Sequence, residues 1–165
     1  MKRIIIVCEG PTEQEFCNNV LAPEFIKHNI TLETPVIKHS HGGIVPWGAL
    51  KKQLVKHLFE NNVHVSMLID YYGIKHSHNF PGWQEALNIE EKYTRMDFLF
   101  GKMKEDLPTH LQNRFIPYIQ LHEFEGLLFS DISAIQNNFT TDEIDMNALQ
   151  VAVNRYDNPE MINDH

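Results

Sequence analysis

The chain has 165 residues, 42% of them hydrophobic, which predicts one globular domain with an ordinary apolar core. No run approaches the ~18 apolar residues of a transmembrane helix, and Met1 leads into a strand rather than a signal peptide, so we expect a cytoplasmic protein without a membrane span. The 14 basic and 22 acidic residues give a net charge of −8, opposite in sign to that of most free-standing nucleic-acid-binding proteins.

Strand and helix patterns alternate along the chain. Apolar or β-branched runs predict strands at residues 4–8, 31–38, 63–70 and 115–121. Amphipathic spacing predicts helices at residues 12–28, 47–60, 88–107 and 145–155, with a short helix at 126–129. Thr12 is the expected N-cap of the first helix, Pro23 should kink or divide that helix, and Pro35 suggests that the second strand lies near a sheet edge.

This alternation predicts an α/β fold with a mostly parallel four-stranded sheet and helices on both faces. No linker or low-complexity segment interrupts it, so a single domain over residues 1–165 is expected. Two cysteines, Cys8 and Cys17, are too few for a disulfide framework and are interpreted as reduced packing residues.

Acidic residues follow three of the four predicted strands. Glu9 follows the first strand, Asp70 the third, and Glu123 and Glu125 the fourth, while Glu13 lies four residues after Glu9. In parallel sheets the carboxyl ends of strands share one edge, where ligands bind. Carboxylates brought together there repel one another unless a cation or a proton lies between them. The pattern therefore suggests a metal site, with a solvated acidic rim as the alternative.

Mg²⁺ and Mn²⁺ prefer oxygen ligands, typically one or two carboxylates with water and substrate phosphate. Glu9, Glu13, Asp70 and one of Glu123 or Glu125 supply enough ligands for one or two ions. Glu9, expected to be the most buried of them, is the best candidate for proton transfer. The alternatives are a first-turn acid on the helix dipole for Glu13, a cap for Asp70 and a salt bridge for Glu125.

Histidines occur in two copies of one tetrapeptide, Lys-His-Ser-His, at residues 38–41 and 75–78. One hypothesis is phosphate binding in the first loop, through Lys38, His39, His41, Gly42 and Gly43. A second is zinc held by His39, His41, His76 and His78. The third is that these are loop histidines without a common role. His122, beside Glu123, is a candidate proton carrier or a residue that bonds to the backbone.

An Ile/Val strand ending in Glu-Gly, with a later strand ending in Asp, resembles the Toprim domain of topoisomerases, primases and the overcoming-lysogenization-defect nucleases. The whole chain resembles more specifically an uncharacterised bacterial family, domain-of-unknown-function family 4276. The resemblance rests on Val-Cys-Glu-Gly-Pro-Thr-Glu at 7–13, His-Gly-Gly at 41–43, Asp-Tyr-Tyr-Gly at 70–73, Phe-Pro-Gly at 80–82 and Ile-Pro-Tyr-Ile-Gln-Leu-His-Glu-Phe-Glu-Gly-Leu-Leu-Phe at 116–129.

The resemblance implies a Toprim-like, Mg- or Mn-dependent nuclease or nuclease subunit that acts on nucleic-acid phosphodiesters. Its candidate catalytic residues are Glu9, Glu13 and Asp70, and it implies a role in bacterial defence with an ATPase partner. Tyr72 stands where the Toprim Asp-x-Asp pattern has its second Asp, so a non-catalytic module that binds a partner protein is the alternative. Family members continue into a basic segment, whereas this chain stops at Asp164-His165, so we expect a truncated C-terminus.

Overall fold

The structure is a computed structural model that describes residues 2–38, 43–121, 126, 132–138, 140 and 142–156. The chain divides into two compact units, Met1–Gln120 and Leu121–His165. The first unit contains the whole described sheet, together with Glu9, Glu13 and Asp70. In the second unit the described helices are α7 (Ile132–Asn138) and α8 (Met146–Val153), and the expectation of a single domain stays a prediction.

The first unit is built on a four-stranded, all-parallel sheet, which confirms the predicted α/β class. Its strands, in the spatial order β2-β1-β3-β4, are β1 (Lys2–Cys8), β2 (Ile30–Glu33), β3 (Val63–Leu68) and β4 (Phe115–Ile116). The central strands β1 and β3 pair from Arg3 with Val63 to Cys8 with Leu68. The apolar residues from Ile5 to Cys8 in β1, and Val63, Val65, Met67 and Leu68 in β3, are buried, as expected for parallel strands covered by helices.

Helices of the first unit connect and cover these strands. They are α1 (Pro11–Phe16), α2 (Ala22–Lys27), α3 (Trp47–Leu58), α4 (Trp83–Ala86), α5 (Lys92–Glu105) and α6 (Thr109–Gln112). The short helices α4, α6 and α7 were not predicted, because four to seven residues carry too little periodicity to reveal a helix. Within the described residues, no helix is both long and apolar enough to cross a membrane.

The first predicted helix stays helical from Pro11 to Lys27, and its hydrogen-bonding pattern changes just before Pro23. Between α1 and α2 the segment Cys17–Leu21 is a π-helix, in which the Ala22 N–H donates to the Cys17 carbonyl five residues earlier. Pro23, which has no N–H, lies directly after this π-helical segment, in the first turn of α2. The helix begins at Pro11 after Gly10, so the expected N-cap at Thr12 was wrong.

Pro35 interrupts the edge strand β2 without detaching the chain from β1. The Cys8 N–H donates to the Pro35 carbonyl at 2.9 Å, and the Ile37 N–H donates to the Cys8 carbonyl at 2.9 Å. Pairing with β1 thus resumes around Val36, opposite Cys8. The prediction of an edge position for this strand is confirmed, although its regular part ends at Glu33.

One helix and one strand are shorter in the structure than the sequence predicts. The helix expected from residue 88 begins at Lys92, because the Glu91 carboxylate accepts hydrogen bonds from the N–H groups of Tyr93 and Thr94 and acts as the N-cap. The strand expected at 115–121 is regular only in β4, because Pro117 has no N–H to donate. Pairing returns further on, between Gln120 and Asp70.

Asp106, directly after α5, fastens that helix to the start of α3. Its Oδ2 accepts a hydrogen bond from Trp47 Nε1 at 2.6 Å and forms an ion pair with Lys51 Nζ at 2.9 Å. Burial would raise the pKa of the Asp106 carboxyl, but the bonds from Trp47 and Lys51 hold it below its ordinary value. The ionised carboxylate therefore stabilises the folded state.

We predict that Asp106→Asn lowers the free energy of unfolding by about 1 kcal/mol at pH 7, since solvent screens part of the ion pair. Because the folded-state pKa is the lower one, this contribution is complete above the unfolded-state pKa of about 4 and is lost as the pH falls through the folded-state pKa. Urea unfolding of wild type and variant should show a smaller difference in the free energy of unfolding at about pH 3 than at pH 7.

The matched control is Asp97→Asn, an exposed position on the same helix, which should change stability little at either pH. A stability difference for Asp106→Asn that is equally large at both pH values would contradict the assignment.

Candidate functional site at the carboxyl edge of the sheet

Glu9 is the first residue after β1 and is held by the end of β3. Its N–H donates to the Leu68 carbonyl at 2.9 Å, which extends the β1–β3 pairing by one residue. Its side-chain Oε2 accepts a hydrogen bond from the Asp70 N–H at 3.0 Å. A carboxylate that accepts a backbone hydrogen bond has a defined orientation, so Glu9 is fixed at the edge of the sheet rather than extended into solvent.

Gly73 lets the chain after β3 pass close to the Glu9 carboxylate. A Cβ at this position would lie 3.4 Å from Glu9 Oε1 and 2.8 Å from the Ile44 side chain. The second of these distances is too short, so any side chain here would displace Ile44. The turn from Asp70 to Gly73 thus folds over Glu9 because residue 73 is glycine.

Asp70 also lies at this edge, partly exposed, between the ends of β3 and β4. Gln120 anchors it on the β4 side, where its N–H donates to the Ile69 carbonyl at 2.8 Å and its carbonyl accepts from the Tyr71 N–H at 2.8 Å. The structure therefore brings Glu9 and Asp70 to neighbouring strand ends, as the sequence predicted.

Glu13 folds back onto the start of its own helix. Its Oε2 accepts a hydrogen bond from the Gly10 N–H at 2.8 Å, which satisfies a backbone donor that α1 leaves without a helical partner. Glu13 is only 8% exposed, while Glu9 is partly exposed. The expectation that Glu9 is the most buried acid was therefore wrong, because Glu13 folds back as a cap.

Two buried thiols lie behind Glu13. Cys8 and Cys17 are both fully buried and unoxidised, with their Sγ atoms 3.9 Å apart. The hydrogen bond to Cys17, burial and the Glu13 carboxylate together raise the pKa of the Cys8 thiol. A protonated, solvent-shielded thiol is a poor nucleophile, which agrees with the interpretation of Cys8 as a packing residue.

The described side chains supply only part of the predicted metal site. Across the described part of the chain, no three His, Cys, Asp or Glu residues come together as a group that could hold a metal ion. Glu123 and Glu125, together with the candidate proton carrier His122, lie outside the described residues. Mg or Mn binding stays a prediction, with Glu9 and Asp70 as its two described ligands at the sheet edge.

The predicted histidine sites are described only at their second tetrapeptide. His76 and His78 form a short 3-10 turn, in which His76 Nδ1 contacts Gln84 Nε2 and His78 Nδ1 accepts from the Lys75 N–H at 3.2 Å. Burial and the nearby Lys75 lower the pKa of His78. His39, His41 and Gly42 lie outside the described residues, so zinc and loop phosphate binding stay predictions.

Two further members of the phosphate hypothesis, Lys38 and Gly43, flank that undescribed stretch. Gly43 has a φ of +139°, in a region that favours glycine, and a Cβ there would meet nothing within 4 Å. Lys38 is exposed and follows the segment that pairs with Cys8. Each is compatible with a loop that approaches a ligand.

An aromatic wall, defined here as Tyr71, Tyr72, Trp83 and Arg95, adjoins Asp70. The Tyr71 ring lies 5.2 Å from the Trp83 ring and 5.9 Å from the Tyr72 ring, and Arg95 lies 5.9 Å above it. Arg95 Nη1 also donates to the Tyr71 hydroxyl at 3.2 Å, and Tyr72 is 47% exposed. Sequence analysis missed this wall, although two tyrosines directly after a strand-end Asp were a usable signal.

A family model described as Domain of unknown function (DUF4276) matches residues 8–165. The chain belongs to this family. The matched residues include Glu9, Asp70 and the aromatic wall. No curated protein and no solved structure matches this DUF4276 chain.

We predict that Glu13→Ala lowers the free energy of unfolding by about 1–2 kcal/mol, because the Gly10 N–H loses its acceptor. Glu13→Gln keeps an acceptor oxygen and should be clearly less destabilising. Urea unfolding of the two variants in the presence of a chelator measures the difference. If Glu13→Ala is as stable as wild type, the capping role is wrong.

Proposed function

We propose that this DUF4276 chain is a Toprim-type, Mg²⁺- or Mn²⁺-dependent nuclease, or the nuclease subunit of a complex, acting on nucleic-acid phosphodiesters. The observation that carries the proposal is the meeting of Glu9 and Asp70 at adjacent parallel strand ends, with the Asp70 N–H bound to the Glu9 carboxylate at 3.0 Å. Open parallel sheets bind ligands at this edge.

The carboxylates of Glu9 and Asp70 are suitable ligands for a single Mg²⁺ or Mn²⁺ ion. Mg²⁺ is commonly bound by one or two carboxylates, with water and substrate phosphate completing the octahedron, and Glu9 and Asp70 supply two. A bound ion would polarise the phosphoryl group and lower the pKa of a bound water. The chain contributes orientation, because hydrogen bonds fix the Glu9 side chain and the backbone on both sides of Asp70. Glu123 and Glu125 remain proposed additional ligands.

The aromatic wall supports nucleic acid as the substrate class. Exposed aromatic rings stack on bases without sequence preference, and arginine adds a cation–π contribution. Tyr72, nearly half exposed and two residues after Asp70, is the ring of this wall that is available for stacking, since Trp83 is buried. A base stacked there would place its phosphates near the acidic edge, where a bound divalent cation would offset part of the negative charge.

We expect Glu9→Gln and Asp70→Asn to reduce cleavage of plasmid or single-stranded DNA by about 100-fold or more, because each variant removes a charged ligand. Glu15→Gln is the matched control: Glu15 is exposed on α1 and should retain wild-type activity. The assay compares the three purified variants with wild type in Mn²⁺, in Mg²⁺ and in chelator. Cleavage that survives both Glu9→Gln and Asp70→Asn would refute the assigned residues.

A non-catalytic interaction module is the second candidate. Glu13 caps its own helix, Tyr72 occupies the position of a second Asp, and the described residues contain no three-ligand metal group. In this proposal the sheet edge and the aromatic wall contact a partner protein, for which the family resemblance suggests an ATPase in a bacterial defence system.

Metal-dependent stability separates the two candidates without relying on activity. If Glu9 and Asp70 hold an ion, Mn²⁺ at ~100 times its dissociation constant should stabilise the wild type by ~2.7 kcal/mol. Glu9→Gln and Asp70→Asn should lose most of this response, whereas Glu15→Gln should keep it. Thermal unfolding with Mn²⁺ and with chelator provides the comparison, and an unchanged wild-type melting temperature would favour the interaction module.

A further inference from the structure

A cavity of about 580 Å³ lies between α3 and the segment that follows β2. Its walls combine three lysines and two further polar residues with an apolar floor. The lining residues are Lys38, Val45, Pro46, Ala49, Lys52, Gln53, Lys56 and His57. No carboxylate is among these described lining residues, although the protein as a whole carries an excess of acids.

Gln53 assembles this basic cavity. Its Oε1 accepts a hydrogen bond from the Lys38 N–H at 2.9 Å, and its Nε2 donates to the Val36 carbonyl at 3.0 Å. The side chain is inside the protein, since Gln53 is only 8% exposed. This pair of bonds fastens the segment after β2 to α3, and therefore sets Lys38 on the same cavity as Lys52 and Lys56.

Among the described residues, no carboxylate forms an ion pair with the three ammonium groups. Lys27, Lys51 and Lys102 each form an ion pair with a nearby carboxylate. By contrast, Lys38, Lys52 and Lys56 have no ion pair with any residue that the structure describes.

The three charges also repel one another. Lys52 and Lys56 are four residues apart on α3, a spacing at which like charges destabilise a helix. Of the lining residues, His57 contacts an acid, with Glu60 Oε1 3.0 Å from its Nδ1. An anion in the cavity would relieve this repulsion, so the charge pattern favours an anionic ligand.

The floor restricts the class of anion. Val45 is buried, and Pro46 and Ala49 extend the apolar surface beside it. An inorganic anion would leave this surface and most of the cavity volume unused, whereas sites of about 300–1,000 Å³ suit small organic ligands. The combination suits a ligand with a phosphate at one end and a flat, weakly polar group at the other.

We propose that the basic cavity binds a nucleoside phosphate, with the phosphate among Lys38, Lys52 and Lys56 and the base or sugar on the Val45–Pro46–Ala49 floor. The nucleoside phosphate is either a free nucleotide or one unit of a single strand. The site uses neither a metal nor Glu9 or Asp70. This proposal therefore goes beyond the proposed nuclease function and does not depend on it.

The test measures binding in chelator at about 50 mM salt, where phosphate contacts are strong. The two probes are AMP and a 5′-phosphorylated oligothymidylate of about 15 nucleotides, a length that suits single-strand sites. The variants are K38Q/K52Q/K56Q and, as the matched control, K104Q, which removes an exposed lysine of α5 that does not line the cavity. Isothermal titration gives the affinities.

We expect the triple variant to bind about tenfold or more weakly than wild type, and K104Q to stay within about twofold. For the oligonucleotide, the slope of log affinity against log salt should fall by about 0.7 for each lysine that contacts a phosphate. Binding of AMP identifies a free-nucleotide site, and binding of the oligonucleotide alone identifies a strand-binding site.

Two results would overturn the proposal: wild type binding neither probe, or the triple variant binding both as wild type does. Because the three lysines are exposed, the triple variant should unfold within about 2 °C of wild type, which a thermal scan verifies. If it is less stable than that, the single variants K52Q and K56Q take its place, and each should weaken binding while K104Q does not.

Discussion

The pairing of β1 with β3 is the constraint on which the candidate site depends. Six residue pairs join the two strands from Arg3–Val63 to Cys8–Leu68, and the side chains toward their carboxyl ends are almost fully buried. In β3 the exposed His64 alternates with buried Val63 and Val65, so a shift of register by one residue would turn this polar side chain toward the core. The register is therefore strongly specified by burial, and it sets Glu9 beside the turn that contains Asp70. The position of the acids is a consequence of core packing.

The parts of the fold that could be predicted are those in which local pattern and tertiary environment agree. An uninterrupted Ile/Val run identified the buried strand β1, alternating and apolar residues identified β3, and Pro35 interrupts regular pairing at the edge strand as expected. Boundaries were less predictable, because they depend on single hydrogen bonds. Glu91 delays the start of a helix by capping it, and Pro117 ends a strand early by lacking a donor.

Some features of the candidate site could likewise be predicted from the sequence, and others could not. That Glu9 and Asp70 lie at neighbouring strand ends follows from parallel topology, and the sequence was enough to predict it. The direction of the Glu13 side chain was not predictable, since an acid in a first helical turn can point outward or fold back onto the preceding N–H. The aromatic wall and the basic cavity combine residues from distant segments. In the cavity they are joined by Gln53, whose role as a bridge has no signature in the local sequence.

The short edges of the sheet limit how this protein can meet another chain. β2 has four residues and is followed by Pro35, while β4 has two residues and is followed by Pro117. Little regular backbone is therefore offered for pairing with a foreign strand, which protects the described sheet from edge-to-edge aggregation. Recognition by β-augmentation is disfavoured for the same reason. A partner of this sheet would have to be selected through side chains, so its specificity would be open to change by point substitution without rebuilding the fold.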